Sequence, residues 1–260
     1  MSNKATPEGV GKPWSFRPGH GPIVALAQHD GHQMRPELAS LTALEPSTRL
    51  REEDPGTGTW AKAVPCRVVV HRSRFELDLN RPRDLALYRD PEHAWGLKVW
   101  KEKLPRKAVE ASLKLYDQFY DEIKQFLDQV AAREGRFVVL DLHSYNHRRE
   151  GPLGPFAPQS QNPDINFGTG SLDRACWGPL VERVLEIVRG WNHLGRRLDT
   201  RENVKFHGGE FSRWVHRTYP GVGCALVVDV KKFFMDEWTG ALDPALHVGL
   251  RHLLDAVAAG

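Results

Sequence analysis

Histidines directly after two apolar runs offer the chemistry of a metal site. Phe137 to Leu142 predicts a buried strand that ends at His143, and Pro22 to Ala27 predicts another, followed by His29 and His32. Side chains at the carboxyl ends of parallel strands face the crevice where α/β proteins bind their ligands. Imidazoles are good ligands for Zn²⁺, and three of them leave a fourth position for water. We therefore expect one zinc ion bound by His29, His143 and a third ligand.

The third ligand has two candidates in the sequence. His32 follows His29 by three residues, so a turn could direct both imidazoles at one point. Glu53 lies in a run of three carboxylates before Pro55-Gly56, and a carboxylate is as good a zinc ligand as an imidazole. Such a run is equally typical of a solvated turn. The sequence leaves His32 and Glu53 both open as ligands.

Three segments offer groups that could hold and convert a substrate. Asn80-Arg81 follows the alternating run before Pro82, and a guanidinium binds a carboxylate through two parallel hydrogen bonds. Gly209 lets the backbone approach a ligand closely, and Arg213 follows it as a second possible anion partner. Each of these residues, taken alone, is also typical of an exposed turn. We expect substrate binding at Asn80, Arg81, Gly209 and Arg213.

Two carboxylates are candidates for the group that moves protons. Asp229 interrupts the apolar strand from Gly223 to Val230, where a carboxylate is costly unless it is paired or used. Glu210 follows the paired glycines and could act as an acid or base. An ion pair between Asp229 and Lys231, which alternation places on the same face, is the structural alternative. We expect catalysis by Asp229 or Glu210.

Strands and helices alternate along the chain, which predicts an α/β protein with a mixed, mostly parallel sheet. Strand character extends over 64–79, and apolar residues at helical spacing predict helices over 105–134, 180–191 and 244–259. Residues 1–20 are polar and rich in Gly and Pro, and we expect a flexible leader there. We expect residues 21–260 to form a single catalytic domain.

Composition excludes several classes of protein. The net charge of +3 is small and the charges are interspersed, so we expect no nucleic-acid partner. No apolar run approaches the ~18 residues that span a bilayer, so we expect no membrane association. The three cysteines lie far apart without a CxxC pair, which favours a reducing, cytoplasmic location. No GxxxxGK[ST] motif indicates nucleotide binding.

In this order, the motifs resemble the N-formylglutamate amidohydrolase family, itself similar to zinc carboxypeptidases and aspartoacylases. The resemblance covers about residues 20–255, and its motifs are His29-Asp-Gly-His32, Arg51-Glu-Glu-Asp-Pro55, Arg74-Phe-Glu-Leu-Asp-Leu-Asn-Arg-Pro82, Asp141-Leu-His-Ser144, Asn162-Pro-Asp-Ile-Asn-Phe-Gly-Thr169, Gly208-Gly209 with Arg213, and Met235-Asp-Glu-Trp238. It implies a three-layer α/β/α fold of the phosphorylase/hydrolase type and a single zinc near His29 and His143. It also implies that Asn80-Arg81 holds a substrate carboxylate. Asp229 stands where the family has a glutamate as general base.

These inferences lead to a hypothesis about function. We expect a zinc-dependent hydrolase that cleaves the amide bond of a small N-acyl amino acid, such as an N-formyl amino acid, or a related acidic substrate. A zinc carboxypeptidase-like enzyme acting on a peptide or a modified C-terminus is the second enzyme hypothesis. The short carboxylate at position 229 also allows a degenerate module that binds carboxylates without cleaving them.

Overall fold

A seven-stranded mixed sheet forms the centre of the protein, seen in a computed structural model that describes residues 11–260. In chain order the strands are β1 (Trp14–Arg17), β2 (Ile23–Ala27), β3 (Cys66–Val70), β4 (Phe137–Tyr145), β5 (Ile165–Gly168), β6 (Asn192–His193), β7 (Arg196–Arg197), β8 (Thr200–Glu202) and β9 (Gly223–Lys231). The sheet order is β1-β3-β2-β4-β9-β5-β8, and β6 and β7 form a separate hairpin. The central strands β3, β2, β4 and β9 are parallel, while β1 and β5 each run antiparallel to a neighbour. The predicted mixed, mostly parallel sheet is confirmed.

In the described part of the chain, seven α-helices connect and cover the strands. They are α1 (Pro36–Leu41), α2 (Pro46–Glu52), α3 (Thr57–Trp60), α4 (Arg106–Glu134), α5 (Arg174–Gly190), α6 (Glu210–Thr218) and α7 (Pro244–Ala259), with 3-10 helices at Ala61–Ala63, Arg83–Leu85, Pro91–Ala94 and Gln159–Gln161. Asp173 and Asp243 start α5 and α7, because each carboxylate accepts hydrogen bonds from two backbone amides of the first turn.

Alternation along the strands creates two cores, one on each face of the sheet. In β2, Val24 and Leu26 pack with apolar residues of α4 and α6, whereas Ala25 and Ala27 face the core that α5 and α7 cover. Successive side chains of a strand point to opposite faces, so a strand that is apolar throughout needs helices on both sides. The protein is therefore a three-layer α/β/α structure, as expected.

The predicted leader needs correction. Residues 1–10 lie outside the described residues, but Trp14–Arg17 form the edge strand β1. Trp14 is buried against Phe119 and donates its indole N–H to Glu122 at 2.6 Å, and Phe16 packs on Phe126. These two alternating aromatic side chains anchor the segment on α4. A leader that extends to residue 20 is thus wrong, while a single domain over 21–260 stays a prediction.

The strand region predicted over 64–79 is also only half correct. The strand β3 ends at Val70, and residues 75–79 are a turn-rich segment rather than a second strand. Their alternation has another cause, because Glu76 and Asp78 are fully buried and pair with Arg35 and Arg74 respectively. The polar positions of this segment point into a network of ion pairs, not toward solvent.

Candidate active site

The carboxyl ends of the central parallel strands open into a cleft of about 480 Å³. His143 lies near the end of β4, His29 follows β2 by two residues, and Asp229 lies opposite His143 on the neighbouring strand β9. All three side chains line the cleft. The strand order therefore gathers residues that are up to 200 positions apart, in the place where open α/β sheets bind ligands.

His29, Asp54 and His143 form the one group of potential metal ligands found in the described residues. One ligand atom from each side chain lies within 4.8 Å of the other two, and all three residues are buried. Asp54 Oδ2 lies 2.9 Å from His143 Nδ1 and 3.4 Å from His29 Nδ1. The backbone amide of Asp54 donates to the carbonyl oxygen of His29 at 2.9 Å, which fixes the carboxylate segment beside the exit of β2.

Each histidine of this group has a buried carboxylate behind it. His29 Nε2 lies 2.9 Å from Asp78 Oδ1, and His143 Nε2 lies 3.2 Å from Asp141 Oδ1. Histidines that bind metals usually donate their other ring N–H to such a group, which fixes the tautomer and the ring orientation. Both rings therefore direct Nδ1 toward Asp54 and Nε2 toward a carboxylate.

The ligand atoms of His29, Asp54 and His143 are of the types that bind a metal ion. His29 Nδ1 is buried and has no hydrogen-bond partner among residues 11–260, although Asp54 Oδ2 is only 3.4 Å away. A buried nitrogen without a partner is costly unless something else occupies its lone pair. Two imidazoles and one carboxylate are ligands that Zn²⁺ accepts, and they leave a further position for water or substrate.

The charges around the group shift its pKa values strongly. Burial favours the neutral form of Asp54, but His143 and His29 outweigh burial and hold the pKa of this carboxyl well below its usual range. Burial likewise opposes the ionised form of Asp78, and Arg74 and His29 lower its pKa. Burial also lowers the pKa of His143, yet the Asp141 and Asp54 carboxylates raise it well above the ordinary histidine value.

His32 and Glu53, the two candidates from the sequence for the third ligand, lie outside this group. They pair with each other, with His32 Nδ1 2.5 Å from Glu53 Oε2, and Glu53 also accepts a hydrogen bond from Ser73. The His32 side chain is 40% exposed, whereas the group with His29 is buried. In the run Glu52-Glu53-Asp54, the chain turns after α2 so that Asp54 faces the histidines.

Asn80 and Gly209 meet at the start of α6. Asn80 Oδ1 accepts from the backbone amide of Phe211 at 3.1 Å, and its Nδ2 lies 3.4 Å from His143 Nε2. A Cβ on Gly209 would clash with Asn80 Oδ1, so only glycine allows this approach. The structure thus brings both predicted residues together beside His143.

The predicted arginines also line the cleft, but Glu210 does not. Arg81 stacks over Tyr88 at 5.1 Å and donates to the carbonyl oxygen of His93 at 2.9 Å. Arg213 Nε forms an ion pair with Glu210 Oε2 at 3.2 Å, and Arg217 pairs with the other oxygen of Glu210 at 2.6 Å. Glu210 is therefore engaged by two arginines outside the lining of the cleft.

Asp229 has no lysine partner among the described residues. The ion pair with Lys231 that the sequence also allowed is therefore not formed. Asp229 Oδ2 accepts from Asn166 at 3.0 Å, while Lys231 pairs with Asp164 at 2.7 Å. Burial raises the pKa of Asp229 to about 7, and the charge of His143 acts in the opposite direction. A carboxyl that titrates near neutral pH is suited to acid–base chemistry.

Asp54 and Lys232 are the site residues that the sequence does not single out. Lys232 lines the cleft, is fully buried and donates to the carbonyl oxygens of Arg51 at 2.5 Å and Glu53 at 2.7 Å. Burial lowers the pKa of its ammonium group to about 8. Its position directly after β9 is the one signal in the sequence that could have identified it.

The fold and the cleft define an α/β protein with an enzyme-like site at the carboxyl ends of its strands. The family model for N-formylglutamate amidohydrolase matches residues 21–230, and the chain therefore belongs to the N-formylglutamate amidohydrolase family. The N-formylglutamate deformylase of Pseudomonas aeruginosa is 24% identical, over 94% of this chain and 96% of that protein. These similarities support a hydrolase that acts on C–N bonds.

Two crystal structures share the fold. The N-formylglutamate amidohydrolase from Ralstonia eutropha JMP134 has a TM-score of 0.71 and 17% identity, covering 95% of this chain and 97% of that one. The gene product Atu2144 from Agrobacterium tumefaciens has a TM-score of 0.65 and 17% identity, covering 96% of each chain. The relation to zinc carboxypeptidases stays a prediction. Within residues 11–260, no helix has the length and apolar character to cross a membrane.

Proposed function

We propose that the protein hydrolyses the amide bond of a small N-acyl amino acid, such as an N-formyl amino acid, with one zinc ion held by His29, Asp54 and His143. The observation that carries the proposal is the convergence of these three buried side chains at the cleft, with carboxylates behind both histidines. Membership of the N-formylglutamate amidohydrolase family supports an amide as the bond that is cleaved.

The steps of the hydrolysis are assigned to residues that line the cleft. A zinc ion would supply Lewis-acid activation of the amide carbonyl and of the attacking water. Asp229 accepts a proton from that water and returns it to the nitrogen of the amide, so that the C–N bond breaks into a carboxylic acid and a free amine. Its place opposite His143 on the adjacent strand, where it accepts a hydrogen bond from Asn166, supports this role.

Substrate binding is assigned to the side of the cleft formed by Asn80 and Arg81. The backbone amide of Phe211 and the approach of Gly209 fix the Asn80 side chain, while the contact with Tyr88 orients the guanidinium of Arg81. A guanidinium oriented in this way binds a carboxylate with two hydrogen bonds. We assign Arg213 a secondary role, because Glu210 already neutralises its charge.

The proposal is tested by measuring hydrolysis and metal content in the same samples. We expect release of formate and free amine from N-formyl amino acids, together with about one zinc per chain by elemental analysis. His143→Ala should remove both, whereas the exposed His252→Ala should keep both as the matched control. Retention of a stoichiometric metal by His143→Ala would contradict the ligand assignment.

Zinc binding without hydrolysis would favour the module that only binds carboxylates. Asp229→Glu then separates the two cases, because glutamate restores the longer side chain that the family resemblance implies. A strong gain in hydrolysis would indicate a weakened enzyme, and no gain in the zinc-loaded variant would indicate a binding protein. Short acidic peptides in the same assay test the carboxypeptidase-like hypothesis.

A cytoplasmic location is also proposed. Cys66, Cys176 and Cys224 are all free thiols, and Cys66 and Cys224 are buried. Unpaired cysteines are typical of proteins in reducing compartments. Fractionation of the source cells, with a periplasmic marker as control, tests this location.

A further inference from the structure

Trp95 is a strained, half-exposed aromatic residue on the wall of the cleft. Its backbone lies in the left-handed region, with φ of 54°, where a bulky L-residue is disfavoured, and its side chain is 42% exposed. A conformation of this kind persists only where the surrounding structure enforces it, and such positions concentrate at ligand sites. Pro82 and Leu85, both partly exposed, line the cleft with it. We call these three residues the apolar wall.

The apolar wall is connected directly to Arg81. The Arg81 guanidinium lies 5.1 Å from the ring centre of Tyr88, and the Tyr88 ring lies 5.8 Å from that of Trp95. Arg81 also donates to the carbonyl oxygen of His93, two residues before Trp95. A ligand whose carboxylate is bound by Arg81 would therefore place its neighbouring substituent beside the apolar wall.

The guanidinium groups of the cleft favour a ligand with one carboxylate, and the lysine of the lining, Lys232, already donates to two backbone carbonyl oxygens. Three of the four guanidinium groups that line the cleft have a carboxylate partner within 3.3 Å: Arg74 with Asp78, Arg149 with Glu52, and Arg213 with Glu210. Arg81 is the exception among the described residues, since its nearest carboxylate oxygen, on Asp78, is 4.0 Å away and already binds Arg74. The cleft thus offers one guanidinium that is free to pair with a substrate.

We propose that the preferred substrate is an N-acyl amino acid with a single carboxylate and an apolar side chain, and that Trp95 determines this specificity. The inference rests on the proposed function and narrows its substrate class. A methionine or phenylalanine side chain against the apolar wall removes apolar surface from water. The Arg74 guanidinium lies 4.8 Å from the centre of the Trp95 ring but is already paired with Asp78. A glutamate side chain there would therefore lose hydration of its charge without gaining an unpaired cation as partner.

The test compares N-formyl-L-methionine, N-formyl-L-phenylalanine and N-formyl-L-glutamate as substrates of the zinc-loaded enzyme. Methionine and glutamate have side chains of similar length, so their ratio of kcat/KM isolates the charge. We expect the apolar substrates to be favoured by about tenfold or more, the scale on which apolar pockets discriminate. Calorimetric titration of the same compounds should give the same order of affinity, which keeps the inference testable if turnover is absent.

Variants of Trp95 separate specificity from folding. Trp95→Ala should reduce kcat/KM for the phenylalanine substrate by about tenfold more than for the glutamate substrate, and Trp95→Phe should recover most of that difference. Leu194→Ala is the matched control, because Leu194 also has a positive φ of 51° and an exposed apolar side chain but lies outside the cleft lining. It should leave the ratio unchanged.

Two outcomes would overturn the inference. A preference for N-formylglutamate that Arg149→Gln removes would show that the cleft binds a second carboxylate at the Glu52–Arg149 pair. Equal effects of Trp95→Ala on all three substrates would show that Trp95 acts on the fold alone. Hydrolysis of none of the compounds would instead count against the proposed function, and calorimetry would still rank the ligands.

Discussion

Asp141→Asn tests whether the carboxylate behind His143 acts on the metal site rather than on the fold. Asp141 is fully buried, and its Oδ1 accepts from Gln28 at 2.8 Å and lies 3.2 Å from His143 Nε2. In the part of the chain that the structure describes, its Oδ2 has no hydrogen-bond partner. Asparagine has the same shape and keeps the accepting oxygen, so the substitution removes little besides the negative charge.

The size of the effect follows from these contacts. Loss of the carboxylate behind a ligand histidine lowers metal affinity by about 10- to 100-fold, which corresponds to about 1.4–2.8 kcal/mol. The atom that changes lacks a partner before and after the substitution. The Asp54 carboxylate still faces His143 after the substitution. We therefore expect the free energy of unfolding of the metal-free protein to fall by less than it does in Asp78→Asn, where a buried guanidinium loses its partner.

Zinc affinity is measured by competition with a chromophoric chelator, and unfolding of the metal-free protein by urea titration. Asp78→Asn provides the contrast, because Asp78 Oδ2 accepts from Tyr88 and from Arg74 at 2.8 Å. That variant leaves a buried guanidinium unpaired and should lose about 3–5 kcal/mol of stability in addition. Wild-type zinc affinity in Asp141→Asn, or a loss of stability as large as in Asp78→Asn, would refute this reasoning.

Three further predictions concern the supports of the site and the pH dependence of stability. Lys232→Met should lower zinc affinity and remove about 1–3 kcal/mol of stability in urea titrations, because the carbonyl oxygens of Arg51 and Glu53, just before Asp54 in the chain, lose their donor; unchanged values would show that these two hydrogen bonds do not support the metal site. Gly209→Ala should raise KM strongly through its clash with Asn80, whereas Gly178→Ala, with open space around its Cβ, should not. Burial lowers the pKa of His193, whose ring nitrogens both lack partners among the described residues, so the unfolded chain binds the proton first and stability falls as pH drops below about 6.5. Urea titrations at neutral and acidic pH should show a smaller loss for His193→Leu, and equal losses would count against this assignment.

The sheet and the position of His29 and His143 at its edge are predictable, because short stretches of sequence carry the evidence for them. An apolar run of strand length followed by a histidine is visible in the sequence, and parallel strands place such histidines at a common edge. The helices from Arg106 and from Pro244 likewise follow from periodicity and from the proline at or before their first residue.

The third side chain of the metal group is not predictable in the same way. Glu52, Glu53 and Asp54 are consecutive acidic residues, and the backbone turn at the end of α2 decides which of them faces His29 and His143. Glu53 instead pairs with His32, so the two candidates from the sequence satisfy each other. Which carboxylate faces the site depends on the backbone amide of Asp54 bonding to His29, a contact between distant segments.

For a related reason, the structure of residues 75–79 could not be predicted from the sequence. Alternation of apolar and polar residues predicts a half-buried strand, but it has the same appearance when the polar residues are buried in ion pairs. Asp78 is the clearest case, because it is fully buried and joins Arg74, Tyr88 and His29. Burial of that carboxylate cannot be read from its type and neighbours in the sequence.

The central claim is that His29, Asp54 and His143 hold one zinc ion. An anomalous difference map at the zinc edge, from crystals of the zinc-loaded protein, tests it most directly. We expect one dominant peak bonded to both imidazoles and to the Asp54 carboxylate, where these side chains line the cleft. A dominant peak at His32 or Glu53, or zinc-loaded crystals with no peak between His29 and His143, would contradict it.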